Sequence, residues 1–292
     1  MSSTEQAADR FAGLETWPTA EMSQALLETQ LAAASAAMQA SGALAEAIDA
    51  AAARLVRGGR LIYLGAGTSG RLAVLDAAEL PPTFDWPRER AVALIAGGDR
   101  AIQCAVEGAE DDTGAAAQAL DALGLDAQDV VIGVAASGRT PYTCAGLAHA
   151  RTHSALTIGV FNAPGAPLQD HCDIALLAPT GAEIIAGSTR MKAGTAQKVL
   201  LNCLSTGIML RLGYVHRGRM VEMRPTNAKL RARAVRMVAD LTGEPLERAE
   251  AGLSEGGTIK CAVVMLALSL SRAEAEARLA AAQGILAKAL TV

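Results

Sequence analysis

The feature that most limits the possible folds is an alternation of short apolar runs with longer amphipathic segments. Strand-like runs lie at residues 60–64, 91–96, 130–135 and 156–161, and a fifth is expected near 173–177. Helical patterns separate these runs, which is typical of βαβ units with parallel strands and right-handed crossovers. The sequence therefore predicts a doubly wound, Rossmann-like α/β fold around one parallel sheet.

The segments that flank the sheet have helical periodicity. Residues 19–56 are rich in alanine and predict two helices with a break at 40–42, and a long helix is expected over 191–212. Beyond Gly218 the pattern is helical throughout and predicts a small C-terminal bundle. We expect three parts, which are N-terminal helices packed on the core (1–57), a sheet domain (58–222) and a C-terminal helical region (223–292).

Composition excludes several classes of partner. The 292-residue chain has 26 Lys and Arg, 30 Asp and Glu, and a formal net charge of -4, without a long run of either sign. Neither nucleic acid nor an anionic membrane surface is indicated by so mild a charge. No stretch reaches the roughly 20 apolar residues of a membrane span, and the first residues do not resemble a signal peptide. The five scattered cysteines are typical of free thiols, so we expect a cytoplasmic protein.

Gly65, Gly67 and Gly70 directly after the first predicted strand have the G-x-G-x-x-G spacing of a dinucleotide-binding turn. A dinucleotide also requires an acidic residue near the end of the second strand to hold the ribose hydroxyls. The candidate, Asp99, follows two glycines and is more typical of a helix cap. We therefore expect no nucleotide cofactor and favour a sugar phosphate as the ligand of this turn.

Three turns place small hydroxyl residues where a helix is predicted to begin. They are Thr68-Ser69-Gly70-Arg71, Ser137-Gly138-Arg139-Thr140 and Ser188-Thr189-Arg190. A helix N-terminus offers unpaired N–H groups and the positive end of the helix dipole, and such turns lie at the carboxyl edge of a parallel sheet. Each serine taken singly could be only an N-cap. Together the turns predict an anion site with the candidate substrate-binding residues Gly67, Thr68, Ser69, Ser137, Gly138, Arg139, Thr140 and Ser188.

Four segments of the predicted sheet domain carry a family resemblance, and they read GAGTSGRLAVLDAAELPPTF, IAGGDRAIQCAVEGAEDD, GVAASGRTPY and GAEIIAGSTRMKAGTAQKVLLN. These segments resemble the bacterial N-acetylmuramic acid 6-phosphate etherases, which contain a sugar isomerase (SIS) domain. The run MVEMRPTNAKLRARAVRMV and the helical tail are similar too, so the resemblance covers nearly the full chain. The turn motifs would fit any SIS protein, whereas Glu79 and Glu110 distinguish the etherases. One departure is Glu222, where aspartate is more usual.

The resemblance implies an enzyme that cleaves the lactyl ether of N-acetylmuramic acid 6-phosphate to N-acetylglucosamine 6-phosphate and D-lactate during cell-wall amino-sugar recycling. It also implies a homodimer with a site near the subunit interface. Elimination suits an unactivated ether, because the C2 proton of the open-chain sugar is acidified by the C1 aldehyde and the lactyl oxygen lies in the β position. A base at C2 and an acid at the departing oxygen give an unsaturated aldehyde, to which water adds at C3.

By the same resemblance, Glu79 and Glu110 are the catalytic pair. We expect Glu79 to be the acid, because the apolar residues 80–82 would desolvate it, and Glu110 to be the base. The sequence leaves this assignment open, and the residues taken singly could also be exposed acids of helix surfaces. Glu183, which precedes the third turn, is a further candidate for binding sugar hydroxyls or the ring oxygen.

The four histidines do not predict a metal site. His149 and His153 fit one solvent-exposed face of a helix, and His171 and His216 stand apart, so we expect no metal.

Two other functions remain open. An SIS-type aldose–ketose isomerase would share proton abstraction at C2 but release no lactate. A non-catalytic sugar-phosphate-binding regulator, such as the related glucokinase regulatory protein, would have no need for an acid–base pair.

Overall fold

A computed structural model describes residues 4, 6–225 and 227–291. At its centre is a parallel sheet with the strand order β2-β1-β3-β4-β5. The strands are β1 (Leu61–Gly65), β2 (Ala91–Ile95), β3 (Val130–Ala135), β4 (Leu156–Phe161) and β5 (Ile174–Leu177). Every residue of β1, β3 and β4 is buried, as expected for strands with helices on both faces of the sheet. The predicted α/β class and all five predicted strands are confirmed.

Seven helices accompany the sheet within the described residues. They are α1 (Thr19–Met38), α2 (Ser41–Leu55), α3 (Gly67–Phe84), α4 (Arg100–Gln103), α5 (Thr113–Ala122), α6 (Pro141–Thr152) and α7 (Lys192–Arg211). The two N-terminal helices and the long helix are confirmed. The helix expected after Asp99 is only one turn long, because the chain is already extended at Cys104. Asp99 stands at its N-cap, but its side chain makes no capping hydrogen bond to any described residue.

The C-terminal part is a helical bundle, as predicted. Its helices are α8 (Ala228–Thr242), α9 (Leu246–Gly256), α10 (Ile259–Leu268), α11 (Arg272–Ala281) and α12 (Leu286–Thr291). The sequence pattern missed a small hairpin of β6 (Val215–His216) and β7 (Arg219–Met220) before the bundle. Arg217 and Gly218 both have positive φ there, as a two-residue type I′ hairpin turn requires.

The contacts divide the chain into two compact units. A sheet unit consists of Met1–Ala78 and Arg88–Thr206, and a helical unit consists of Glu79–Pro87 and Gly207–Val292. In the helical unit α10 is the centre of the core, since its first seven residues are all buried. The expected three-part division of the chain stays a prediction.

A helix that crosses a bilayer needs about 20 predominantly apolar residues, and the helices of the described residues differ in both length and composition. None of these helices is by itself long and apolar enough to cross one. In the part of the chain that the structure describes, one pair of helices, α9 and α10, reaches the required length and composition when taken together, and these two helices are bent by 119° relative to each other.

Within the sheet unit, a buried carboxyl group joins α3 to β1 and α7. Asp76 accepts hydrogen bonds from the Tyr63 hydroxyl (2.9 Å), the Asn202 amide (2.7 Å) and the Ser205 hydroxyl (3.2 Å). Burial raises the pKa of the Asp76 carboxyl group, and the hydrogen bonds from Asn202, Tyr63 and Ser205 act in the opposite direction. The position of α3, and of the turn at its N-terminus, therefore depends on this carboxyl group.

Replacing Asp76 with alanine should destabilise the sheet unit. The Asp76→Ala variant leaves the buried hydroxyls of Tyr63 and Ser205 and the partly buried amide of Asn202 without this acceptor, which is expected to cost about 2–4 kcal/mol of unfolding free energy. Urea denaturation followed by circular dichroism measures this loss. Glu46→Ala, on the exposed part of α2, is the matched control and should change stability by less than about 0.5 kcal/mol. Equal urea midpoints for Asp76→Ala and the wild type would show that this network does not hold α3.

Candidate active site

A cavity of about 430 Å³ lies at the carboxyl edge of the sheet, where β1 and β3 are neighbours. The connection after β1 leads to one side of the sheet and the connection after β3 to the other, so the two loops diverge and leave a crevice. A volume of this size suits a small ligand. The lining residues come from the turn after β1 (Ala66, Gly67, Thr68, Ser69), from the turn after β3 (Ala136, Ser137, Arg139, Thr140, Pro141), and from Glu110, Asp111 and Thr189.

The glycine spacing after β1 is explained by close packing of α3 against the strand. A β-carbon on Gly70 would lie 2.7 Å from the carbonyl oxygen of Gly65, and one on Gly65 would lie 2.9 Å from the Cα of Gly70. Gly67 has a φ of 54°, in the left-handed region. These three glycines let α3 start directly above the end of β1, which brings its N-terminal N–H groups to the cavity.

The hydroxyl of Ser69 belongs to a chain of buried hydrogen bonds. It donates to Gln197 Oε1 (2.9 Å), Gln197 Nε2 donates to Asn162 Oδ1 (3.0 Å), and Asn162 Nδ2 donates to the carbonyl of Ala178 (3.0 Å). Because a carbonyl can only accept, Ala178 fixes the orientation of both amides and commits the single Ser69 proton to Gln197. Ser69 lines the cavity as expected, but with this chain intact it offers a ligand only acceptor lone pairs.

The turn after β3 presents its hydroxyl groups differently. Ser137 Oγ accepts a hydrogen bond from the backbone N–H of Arg139 (3.2 Å), and its own proton has no acceptor among the described residues, so it can be donated to a ligand. Thr140 stands at the N-cap of α6, and its side chain caps no described N–H group. Gly138 has a φ of 61°, and a β-carbon there would lie 2.5 Å from that of Ala166. Gly138 shapes the turn and, among the described residues, is not one of those that line the cavity.

The third turn differs most from expectation. Thr189 lines the cavity, whereas Ser188 is absent from the lining formed by the described residues. Glu183 is fully buried, and its carboxylate accepts the N–H groups of Lys192 (3.0 Å) and Ala193 (2.9 Å). It therefore caps the N-terminus of α7, a role that sequence spacing did not reveal because the cap lies nine residues before the helix. A role of Glu183 or Ser188 in sugar binding stays a prediction.

Glu110 reaches the cavity from a short 3-10 turn at Ala109–Asp111. The turn is preceded by Gly108, with a φ of 71°, and is followed by Asp112, which caps α5 by accepting the N–H groups of Gly114 and Ala115. The Glu110 residue is exposed. The structure thus brings a carboxylate to the same cavity as the turns after β1 and β3.

Glu79 lies farther along α3. The helix rises about 1.5 Å per residue, which puts Glu79 about 18 Å along its axis from Gly67. Glu79 is exposed although Leu80 is buried, so the desolvation expected from the apolar residues after it is absent in this chain. Within the described residues, the cavity lining includes Glu110 and not Glu79.

The same cavity contains no group of three metal-ligating side chains among the residues that the structure describes. One such group lies elsewhere in the sheet unit and consists of Asp121, His149 and His153. His149 lies in the last turn of α6 and His153 directly after it, and sequence spacing did not show that Asp121 of α5 joins them.

Two family models match the sheet unit. The SIS domain model matches residues 110–206, and the model of the glucokinase regulatory protein N-terminal SIS domain matches residues 43–151. Among solved structures, a Bacteroides fragilis protein described as a phosphosugar isomerase involved in capsule formation superposes with a TM-score of 0.53 at 21% identity. The match covers 73% of this chain and 97% of that protein. At this identity the likeness concerns the fold, and the predicted SIS fold is confirmed.

Sequence relatives extend the likeness to nearly the whole chain. The N-acetylmuramic acid 6-phosphate etherase of Deinococcus radiodurans is 52% identical over 282 residues, which cover 96% of this chain and 92% of that protein. The protein of the same name from Cronobacter sakazakii is 48% identical over 278 residues, covering 95% and 94%. The resemblance seen in the sequence motifs is confirmed, and the chain belongs to the N-acetylmuramic acid 6-phosphate etherase family.

Proposed function

We propose that this enzyme cleaves the D-lactyl ether of N-acetylmuramic acid 6-phosphate and yields N-acetylglucosamine 6-phosphate and D-lactate, as a step of peptidoglycan recycling. The observation that carries the proposal is the 52% identity to an etherase over 96% of the chain. The arrangement of the cavity supports it, because a carboxylate and two helix N-termini meet there. An assay for D-lactate released by the purified protein tests it directly.

The phosphate group fits the end of the cavity formed by the turns after β1 and β3. The N-termini of α3 and α6 contribute N–H groups and the positive ends of two helix dipoles. Ser137 and Thr140 add hydroxyl donors, and Arg139 adds a positive charge in the cavity wall. This donor set suits a phosphate monoester, with the sugar extending from it toward Glu110.

The chemistry assigned to the pair of glutamates is elimination followed by addition of water. The Glu110 carboxylate removes the C2 proton of the open-chain sugar, and the C3–O bond breaks as the Glu79 carboxylic acid protonates the lactyl oxygen. D-Lactate leaves, water adds at C3 with the help of Glu79, and Glu110 returns a proton to C2. The sum is hydrolysis of the ether without attack on an unactivated carbon.

The position of Glu79 favours a homodimer in which each chain completes the site of the other. The distance from Gly67 to Glu79 along the axis of α3, about 18 Å, exceeds the length of one hexose phosphate. A sugar bound at the turn after β1 would therefore not reach Glu79 of the same chain. Leu27, Leu31 and Met38 lie on one face of α1 with 71%, 75% and 77% of their surface exposed. A two-fold interface would cover such an apolar stripe.

Two alternatives receive less support. An aldose–ketose isomerase on the SIS fold would also use a base at C2, and a sugar-phosphate-binding regulator would use the same anion turns. Membership of the etherase family favours neither. Release of D-lactate separates the etherase from both, because isomerisation keeps all carbon atoms in one product and a regulator turns nothing over.

The cytoplasm is the proposed location. All five cysteines are free thiols, and two of them, Cys104 and Cys203, are exposed, which suits a reducing compartment. A sugar phosphate is the proposed partner, together with a second copy of the chain. Neither nucleic acid nor a membrane is proposed as a partner, given the net charge of -4.

Replacing Ser137 should weaken binding of the phosphate. We expect Ser137→Ala to raise KM for N-acetylmuramic acid 6-phosphate by an amount equivalent to about 1–3 kcal/mol, the usual contribution of a charge-assisted hydrogen bond. Steady-state kinetics and inhibition by inorganic phosphate measure the loss. Ser69→Ala is the matched comparison and should weaken phosphate inhibition less, because its proton is committed to Gln197. A larger loss in Ser69→Ala than in Ser137→Ala would contradict this order of donors.

Isotope labelling should reveal elimination. In deuterated water the product should carry deuterium at C2, and in heavy-oxygen water the label should enter the C3 hydroxyl and not the lactate. Glu79→Gln should abolish lactate release yet keep slow C2 exchange, because the base survives, whereas Glu110→Gln should suppress both. The reverse pattern would exchange the two roles. Heavy oxygen in lactate would mean attack on the lactyl carbon and would rule out elimination.

Complementation should show whether Glu79 acts in the partner's cavity. A heterodimer of a Glu79→Gln chain and a Glu110→Gln chain, purified through two different tags, would hold one intact site and should recover about half of the wild-type activity. Each homodimeric variant should be inactive and serves as the control. An inactive heterodimer would place Glu79 in the site of its own chain, and a fully active monomer in light scattering would exclude the shared site.

A further inference from the structure

Outside the cavity, three side chains at the C-terminal ends of α5 and α6 converge. The Nε2 atom of His149 lies 2.7 Å from Asp121 Oδ1, and the Nε2 atom of His153 lies 4.0 Å from the same oxygen. The two imidazole rings are 4.7 Å apart. His149 lies in the last turn of α6, His153 is the residue that directly follows this helix, and Asp121 faces both from α5. All three side chains are accessible to solvent.

Hydrogen bonding at His153 leaves its Nε2 atom free to act as a ligand. The hydroxyl of Thr152 donates to the carbonyl of His149 (2.7 Å), and Nδ1 of His153 lies 3.2 Å from both that carbonyl and that hydroxyl oxygen. Since the hydroxyl proton is already used, Nδ1 must be the donor in both contacts. The neutral imidazole therefore carries its proton on Nδ1 and its lone pair on Nε2. A backbone carbonyl that orients the second ring nitrogen is the usual outer partner of a metal-binding histidine.

The dimensions of the group also suit an ion. The three ligand atoms lie within 4.8 Å of one another. Bonds of about 2.0–2.2 Å in tetrahedral geometry hold ligand atoms about 3.3–3.6 Å apart, so modest side-chain rotations would bring them to an ion. Two imidazoles and one carboxylate prefer zinc and similar transition ions over Mg²⁺, which prefers oxygen ligands. The ion would replace the hydrogen bond between His149 and Asp121.

We propose that Asp121, His149 and His153 bind one divalent transition-metal ion of the zinc class. The ion joins the C-terminal end of α5 to that of α6. The N-terminal end of α5 follows the turn that carries Glu110, and α6 begins at the turn of Ser137 and Thr140. Metal binding therefore stiffens the pair of helices that carries two walls of the cavity, without contributing an atom to the cavity itself.

Titration of the full-length protein with zinc chloride tests this site. Calorimetry is performed on a Cys104→Ser, Cys203→Ser background, so that the exposed thiols do not compete. We expect one zinc ion per chain and a rise in Tm with zinc. His153→Ala should weaken zinc affinity by about tenfold or more and remove the rise in Tm, as loss of a metal ligand requires. The matched control His171→Ala should bind zinc as the background protein does, and magnesium chloride should give no comparable binding.

Several results would overturn the proposal. They are unchanged zinc affinity in His153→Ala, an equal loss in His171→Ala, or no saturable zinc binding by the background protein. Asp121→Asn keeps the size of the side chain but removes its charge, and it should also weaken zinc binding if His153→Ala fails to fold. The readout is metal binding and Tm, so failure of the lactate-release assay would leave this proposal standing, and the converse also holds.

Discussion

The close approach of α3 to the end of β1 is the contact on which the cavity at the carboxyl edge of the sheet depends. Without side chains at Gly65 and Gly70, a helix can begin directly above a buried strand and direct its free N–H groups into the crevice beside it. The Asp76 network holds the middle of the same helix to β1 and α7. The position of this turn at the cavity is thus set by backbone packing first and by side-chain hydrogen bonds second.

The parts of the molecule with a local signal were predictable. Apolar runs gave the five strands, and glycines and hydroxyl residues at their carboxyl ends identified the turns after β1 and β3 that line the cavity. Contacts between distant residues had no such signal. Asp76 accepts a hydrogen bond from Asn202, which lies 126 positions later in the sequence, and Glu183 caps a helix from a preceding loop. Neither contact follows the residue spacing of a helix or a strand, so neither could be predicted from periodicity. The hairpin at 215–220 was missed because its strands are two residues long.

The two glutamates illustrate a different limit of sequence reasoning. Motif similarity singled out both, yet the rise of α3 separates Glu79 from the turn at its N-terminus. A motif records which residues a family has, but it does not record which chain of an assembly supplies each one to a given site. In this fold, a helix that starts at the cavity carries the residues of its later turns away from it.

The buried chain from Ser69 through Gln197 and Asn162 to the carbonyl of Ala178 has a single direction of donation. Each amide must accept on one side and donate on the other, and an aspartate or glutamate of the same shape can only accept once ionised. Deamidation of Asn162 or Gln197 would therefore put a negative charge where a proton donor is needed, on the chain that ends at the cavity-lining Ser69. Loss of ammonia from either amide would thus remove the order that the chain imposes on one serine proton.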